Sequence, residues 1–536
     1  MKNIFVSMAI LIVIITLVGC SGNTGATQTA APKDASTEAA VAGQSNGAEQ
    51  QELVVVGQEI AASLDPVKPL TSSYLRNVGA GEALFRIDAK GQTVPSLAES
   101  AKAVDPTTWE IKLRSGAKFW SGKPIDASAV IASLERSRAQ DPQAQPFLKE
   151  LAFSKVDDYT LQVKTTSPHV PVPLNLSYYQ TLIHNAEAKY DAVDTMDLTG
   201  MYKVIEFESK KKLVLSVNES YWGTKPTLKR VVFEEISDGQ TRVLTALSGR
   251  SHVTLNVPAA SLSQFKNHKD VRISAEPAAN TQTIYLNLSK PQLADARVRQ
   301  ALSWALDRQE LVAVAAEGHG VPVTTWLGSN PGFPEARNAV YDKTDLTKAG
   351  QLLDEAGWKK GADGIRVKDG QPLTLTLMTW GGDKALGEAL QSQWTKLGVK
   401  AEVRHGDYSL IQAARDKGEW DAFIEAWSTF GDMHTLLTGQ YGPKGSANYG
   451  GYVDEETSRL LAQLKEATDD QSRRKLALQV NEQVARQAPV IALFPRPQLT
   501  AVSKKLQGFE EHFRQFENVV NAGLTLQPGA AASERK

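Results

Sequence analysis

The only thiol in this chain stands at position 20, closing the stretch Leu17-Val18-Gly19-Cys20. Ahead of it lie Lys2 and an apolar run from Ile4 to Val18, and small residues flank the junction. A charged start, a short apolar core and a small-residue boundary describe a secretory signal, and a cysteine at that boundary reads as a lipobox, so Cys20 is expected to carry lipid. The run contains Ser7 and Thr16 and falls short of the roughly 20 residues that span a bilayer, which makes a transmembrane anchor the weaker reading. Nothing with helical or strand period follows Cys20 to bury it in a core.

Other chemistry-bearing patterns fail on context. Gly43-Gln-Ser-Asn-Gly47 matches Gly-x-Ser-x-Gly, but it sits in a low-complexity stretch and not on the strand-to-helix turn that exposes a nucleophile. The sequence has no His-Glu-x-x-His pair and no Gly-rich phosphate loop ending in Lys-Ser/Thr. Glu234-Glu235 and Glu455-Glu456 are adjacent, so their carboxylates diverge on a strand or a helix and read as solvated. A lipid-anchored hydrolase therefore ranks low, and no cofactor is expected.

Composition sets the frame for these residues. Positions 21–51 are mostly Ser, Gly, Thr, Ala, Gln and Asn, which cannot bury enough surface to offset chain entropy. Such a tether reaches on the order of 30 Å. The net charge of −1 argues against nucleic acid. Without a cysteine beyond position 20, an exported fold must be held by its core alone, and a chain this long is expected to divide into at least two lobes.

From Glu52 onward β-rich stretches alternate with amphipathic helices. Leu53–Val56 is an apolar strand, and Trp109, Ile111 and Leu113 alternate with polar residues, as do Leu161 with Val163 and Leu213 and Leu215 with Val217. Asp295 is placed to cap a helix carrying Val298 and Leu302, and Leu346, Ala349 and Leu353 repeat the pattern before Gly357. Strands at 373–377 and 399–403 flank a helix at 384–397, which is a βαβ unit. Helices are expected at 455–468 and 471–487, then a strand at 489–494 heading back toward the first lobe.

Several segments, in order, resemble the family 5 extracellular solute-binding proteins, the group of dipeptide-, oligopeptide- and nickel-binding components of ABC importers. They are Pro95-Ser-Leu-Ala-Glu-Ser; Thr108-Trp-Glu-Ile-Lys-Leu-Arg-Ser-Gly-Ala-Lys-Phe-Trp-Ser-Gly-Lys-Pro124; Thr199-Gly-Met-Tyr-Lys-Val; Tyr221-Trp-Gly-Thr-Lys-Pro226; Thr241–Gly249; and Asp295-Ala-Arg-Val-Arg-Gln-Ala-Leu302. The resemblance runs from about 53 to 525. It implies an α/β, two-lobed, periplasmic-binding-protein-like (Venus flytrap) fold with an extra subdomain in the first lobe. The expected division is a signal peptide at 1–19, lipidated Cys20 and tether at 20–51, lobe I with its subdomain at 52–285, lobe II at 286–490, a return to lobe I at 491–527 and a tail at 528–536. Trp109, Phe119, Trp120, Tyr221 and Trp222 read as core aromatics.

The same resemblance implies a cargo site in Ala426-Trp427-Ser428-Thr429-Phe430-Gly431-Asp432-Met433-His434. In peptide-binding relatives the matching acid pairs with the α-ammonium group, and Asp432 falls on that position; the plainer reading is a cap on the following helix. Trp427 would form a pocket wall. Peptide binders commonly continue Asp-Pro, and Met433-His434 departs from that, whereas nickel-binding relatives can carry Asp-Pro-His, so His434 is a candidate contact for a metal complex. No metal ligand is directly assigned. The Gly- and Tyr-rich loop Tyr441–Tyr452 adds Asn448, Tyr449 and Tyr441. Gly249-Arg-Ser-His252 departs from the family's Gly-Glu-x-Asp, and His252 either tunes cargo choice or sits at the surface.

The expected function is that of a monomeric, extracytoplasmic component, lipid-anchored to a bacterial membrane, that captures a short peptide or similar solute and passes it to an ABC permease and its ATPase subunits. Nickel or another transition metal carried as a small-molecule chelate is the alternative cargo.

Overall fold

The computed structural model describes residues 51–514, 517 and 519–527. Cys20, the signal segment, the tether up to residue 50 and the tail at 528–536 lie outside them. No helix among the described residues is long and apolar enough to cross a membrane.

The chain opens with β1 (Glu52–Gly57) and α1 (Thr71–Asn77), then passes through β2 (Ala98–Asp105), β3 (Thr108–Leu113), α2 (Ala127–Gln140), β4 (Leu151–Asp157) and β5 (Thr160–Thr165). It returns as β6 (Tyr202–Glu208), β7 (Lys212–Val217), β8 (Arg230–Glu235), α3 (Gly239–Leu247) and β9 (Val253–Thr254). The long β10 (Val271–Leu286) leads to α4 (Ala296–Trp304), α5 (Arg308–Ala316), α6 (Leu346–Glu355), β11 (Thr374–Trp380), α7 (Lys384–Leu397), β12 (Lys400–Gly406), α8 (Tyr408–Lys417) and β13 (Ala422–Ser428). Then come α9 (Met433–Tyr441), α10 (Glu455–Glu466), α11 (Asp470–Gln487) and a second long strand, β14 (Val490–Ser503).

Aspartates start many of these helices. Asp126, Asp238, Asp307, Asp345 and Asp469 each accept a hydrogen bond from a first-turn N–H of α2, α3, α5, α6 and α11, satisfying a donor that the helix itself cannot. Asp295 does the same for α4, as its sequence position predicts.

Among the described residues ten strands form one sheet in the order β12-β11-β13-β10-β14-β9-β1-β8-β7-β6, and β2-β3-β5-β4 form a separate four-stranded sheet. Three large cores follow from this. Leu53, Val55, Leu215, Val231, Phe233 and Val502 fill the first lobe. Ile111, Leu134, Leu161 and Val163 fill the subdomain, between the small sheet and α2. Ile284, Leu302, Leu353, Leu375, Trp394, Ile424 and Leu493 fill the second lobe, which carries the βαβ unit β11-α7-β12 with its strands parallel.

β10 and β14 run through both lobes, paired antiparallel from Val271 with Ser503 to Tyr285 with Val490. Their register shifts twice, by one residue between Gln282 and Thr283 and more widely in the middle. Pro277 faces Pro497 and Thr281 faces Pro495, so Ala278–Asn280 bulge opposite Arg496 alone. The return strand expected to end at 494 continues to Ser503 because its two prolines sit at this bulge, where a missing N–H breaks no ladder bond. The boundaries expected at 285 and 490 are the second-lobe ends of these strands, and the crossing itself lies at 277–281 and 495–497.

Candidate functional site

In open α/β sheets ligands bind outside the carboxyl ends of the parallel strands. In the first lobe β1 runs parallel to β8 and β9 and ends at Gly57. In the second lobe β11 runs parallel to β12 and β13 and ends at Trp380. A cavity of about 590 Å³ lies where these ends meet the crossing strands. Gln58 reaches it from beyond β1, Asn256 from beyond β9, and Gly382 and Asp383 from beyond β11. Ala278, Asn280, Arg496 and Pro497 of the bulge form one wall, and the 509–514 segment another. The volume suits a small solute.

Most polar groups of this cleft are held by the protein. The Asn77 carboxamide accepts from Val519 N–H at 3.1 Å, and Gln498 donates to the His512 carbonyl at 2.7 Å. His512 accepts from Arg514 N–H at Nδ1 (3.1 Å), so its proton sits on Nε2 and points at the Asp88 carbonyl, 3.2 Å away. Burial holds the His512 imidazole below its ordinary pKa. Thr500 donates to Glu511 at 2.5 Å, and burial pushes the Glu511 carboxyl up to about 7. Glu517 lies between Arg76 (3.1 Å) and Arg514 (3.0 Å).

The residues singled out in the sequence are placed differently. Asp432 is the N-cap of α9, accepting from Thr435 N–H and Oγ1 at 2.9 and 2.8 Å, while its other oxygen takes the Arg473 guanidinium at 2.8 Å. Trp427 is the next-to-last residue of β13, opposite Thr281 beside the bulge, and stays 39 % exposed. His434 is half-buried on the first turn of α9, where burial lowers its pKa. Asn448 ties its own loop, donating to the carbonyls of Gly442 and Tyr452 and accepting from Tyr452 N–H. Tyr449 packs edge-on to Tyr285, with the Arg415 guanidinium 4.3 Å from its ring centroid. Tyr441 is buried in a second-lobe core against Trp326. None of these six lines the 590 Å³ cavity. Cys20 lies outside the described residues.

His252 is neither a cleft residue nor a surface one. It lies beside β1, accepting from Val54 N–H at 3.0 Å, and burial pulls its imidazole down to about 4. Phe119 and Trp120 are buried as expected, but Tyr221 and Trp222 turn their O–H and N–H onto Glu82, at 2.8 and 3.2 Å. They edge a second cavity of about 750 Å³, whose lining comes from the first lobe and from Gly508, Glu510, Glu517 and Val520 of the return segment. The cleft residues that the sequence reading missed carried one usable signal. Gln58, Asn256 and Asp383 each stand within three residues of the end of a β-rich run.

Two α/β lobes joined by crossing strands, with a polar cleft between their strand ends, define a two-lobed binding protein. Residues 92–448 match the bacterial extracellular solute-binding proteins, family 5 Middle, and the chain belongs to this family, whose members bind substrates and are not enzymes. Among similar proteins, the nickel-binding protein NikA of Staphylococcus aureus is 24% identical over 449 residues, covering 83% of this chain and 89% of NikA. The oligopeptide-binding protein AppA of Bacillus subtilis is 25% identical over 457 residues, covering 80% and 83%. The crystal structure of a nickel ABC transporter protein from Bacillus halodurans superposes with a TM-score of 0.78 at 25% identity, covering 89% of this chain and 100% of that one.

Proposed function

We propose that this chain is the solute-binding component of an ABC importer, held outside the cytoplasm by lipid on Cys20, and that it captures a short peptide or similar small solute between its lobes. The observation that carries this reading is the polar cavity at the strand ends of both lobes, bridged by β10 and β14. Contacts available only when the lobes close would shift the population toward the closed form, which the permease then opens. A solute that bound both forms equally would shift nothing.

A second reading, uptake of nickel or another transition metal, is supported by the likeness to NikA. Among the described residues no three His, Cys, Asp or Glu side chains gather into a metal site. On this reading the metal travels inside a small organic chelator; His434, its candidate contact, stands on α9 outside the 590 Å³ cavity.

Native mass spectrometry of freshly purified protein tests both readings. Stoichiometric retention of an intact peptide or metal chelate is the expected result, and turnover of a peptide would favour a hydrolase. Cys20→Ser should release the protein from the membrane fraction, and continued membrane association would remove the anchor from this proposal.

A further inference from the structure

Arg496 stands at the point where the β10–β14 ladder is broken. Prolines at 495 and 497 flank it, and its N–H leaves the ladder to reach the Asn280 side chain at 3.1 Å. A bulge of this kind re-aims the side chain at its centre, and here the side chain enters the cleft. Its partner is Asp383, at 3.3 Å. That contact is longer than arginine pairs such as Arg474 with Glu335 at 2.6 Å and Arg136 with Asp65 at 2.9 Å. Asp383 is the buried member, with 11% of its side chain exposed against 44% for Arg496.

Asp383 occupies the N-cap of α7 but, like Asp407 at α8 and unlike the capping aspartates named above, makes no cap hydrogen bond. Its carboxylate is turned to hold the guanidinium from one side, leaving Nε and Nη1 of Arg496 without a protein acceptor among the described residues. From the first lobe, Gln58 and Asn256 reach the same cavity with carboxamides that likewise have no hydrogen-bond partner among the described residues. A guanidinium fork steadied on one edge and open on the other matches a carboxylate. Of the acids nearby, Glu511 is bonded to Thr500, Glu517 to Arg76 and Arg514, and Glu425 accepts from Ala426 N–H, while Glu510 lines the same cavity; none of them is hydrogen-bonded to Arg496.

We propose that Arg496 is a cargo-contacting, specificity-determining residue that selects solutes presenting a carboxylate oxygen, free or on a chelating ligand. This rests on the solute-binding reading above and narrows it. The test compares matched probes by calorimetry on the full mature chain: L-alanyl-L-leucine against its C-terminal amide, and nickel bis-histidine against the nickel complex of histamine, which keeps the imidazole and amine but lacks the carboxylate. The acid form of at least one pair should bind about tenfold to a hundredfold more tightly, and Arg496→Gln should abolish that preference. The wild-type comparison stands even where the variant folds poorly. Equal affinity within each pair, or a preference that survives in Arg496→Gln, overturns the role of Arg496 and leaves the binding function standing. Failure of all four probes to bind overturns this inference together with the cargo reading on which it rests.

Discussion

The guanidinium carbon of Arg514 lies 4.5 Å from the ring centroid of Tyr178 and 5.6 Å from that of Phe430. Tyr178 belongs to the subdomain side, stacked on Phe147 at 4.0 Å, and Phe430 to the loop that follows β13 in the second lobe. Phe513, next to Arg514, is 5.1 Å from Phe430, so the return segment wedges a cation and a ring between the two lobes. Cation–π contacts of this kind contribute roughly 0.5–2 kcal/mol each. Arg514→Ala should therefore favour the open form, and small-angle scattering of the cargo-free protein should show a larger radius of gyration than the wild type. An unchanged radius would mean that the rings do not restrain closure.

Asp432 carries two structural duties, and a cargo ammonium docking there would have to displace Arg473. Asp432→Ala loses the cap of α9 and leaves a half-buried arginine short of its acid, which should lower stability by about 2 kcal/mol in urea unfolding. Asp432→Asn keeps a good cap, so it should recover part of that loss and leave cargo affinity unchanged. A sharp drop in affinity for Asp432→Asn would instead place this carboxylate on the cargo.

Gly450 tests why the 441–452 loop is glycine-rich. A Cβ there would run into the Leu286 carbonyl oxygen at the end of β10, and the Gly450 carbonyl itself accepts from Leu288 N–H at 3.0 Å. The close approach is thus to the protein's own strand. Gly450→Ala should cost roughly 2 kcal/mol or more, read as a lower midpoint in thermal unfolding; an unchanged midpoint would mean that the loop shifts freely.

His184 makes stability fall on the acid side. It is buried, and Arg136 can only donate to its Nε2 (3.1 Å), so the ring is neutral with its proton on Nδ1, facing the Leu182 carbonyl at 3.1 Å. Burial brings its pKa down to about 4. Between pH 4 and the unfolded value of 6.5 the unfolded chain binds the extra proton, so this contribution is complete above 6.5 and is lost progressively as pH falls toward 4. The loss is on the order of 3 kcal/mol. Urea midpoints across this range should decline more steeply for the wild type than for His184→Gln, and parallel slopes would rule the residue out as the cause.

The sequence by itself determined the local elements. The 384–397 helix, the Asp295 cap and the alternating strands at Trp109–Leu113 and Leu161–Val163 stand where their periodicity put them, because side-chain spacing and capping chemistry act within a few residues. The two-lobed α/β fold was legible as well, through the ordered resemblance of many segments. What surrounds each side chain was decided only by tertiary structure. Tyr441 looked like a cleft wall and is buried because α9 lies on Trp326, far away in the chain. For Asp432 the sequence left a cargo contact and a helix cap both open, and in the fold it caps α9 and pairs with Arg473 from another helix. Arg496 fell just beyond the strand expected at 489–494, and it becomes a cleft residue because β10 bulges opposite it. Periodicity reports that a face is buried; it carries no record of which distant strand or helix covers it, and the cleft is made from such pairings.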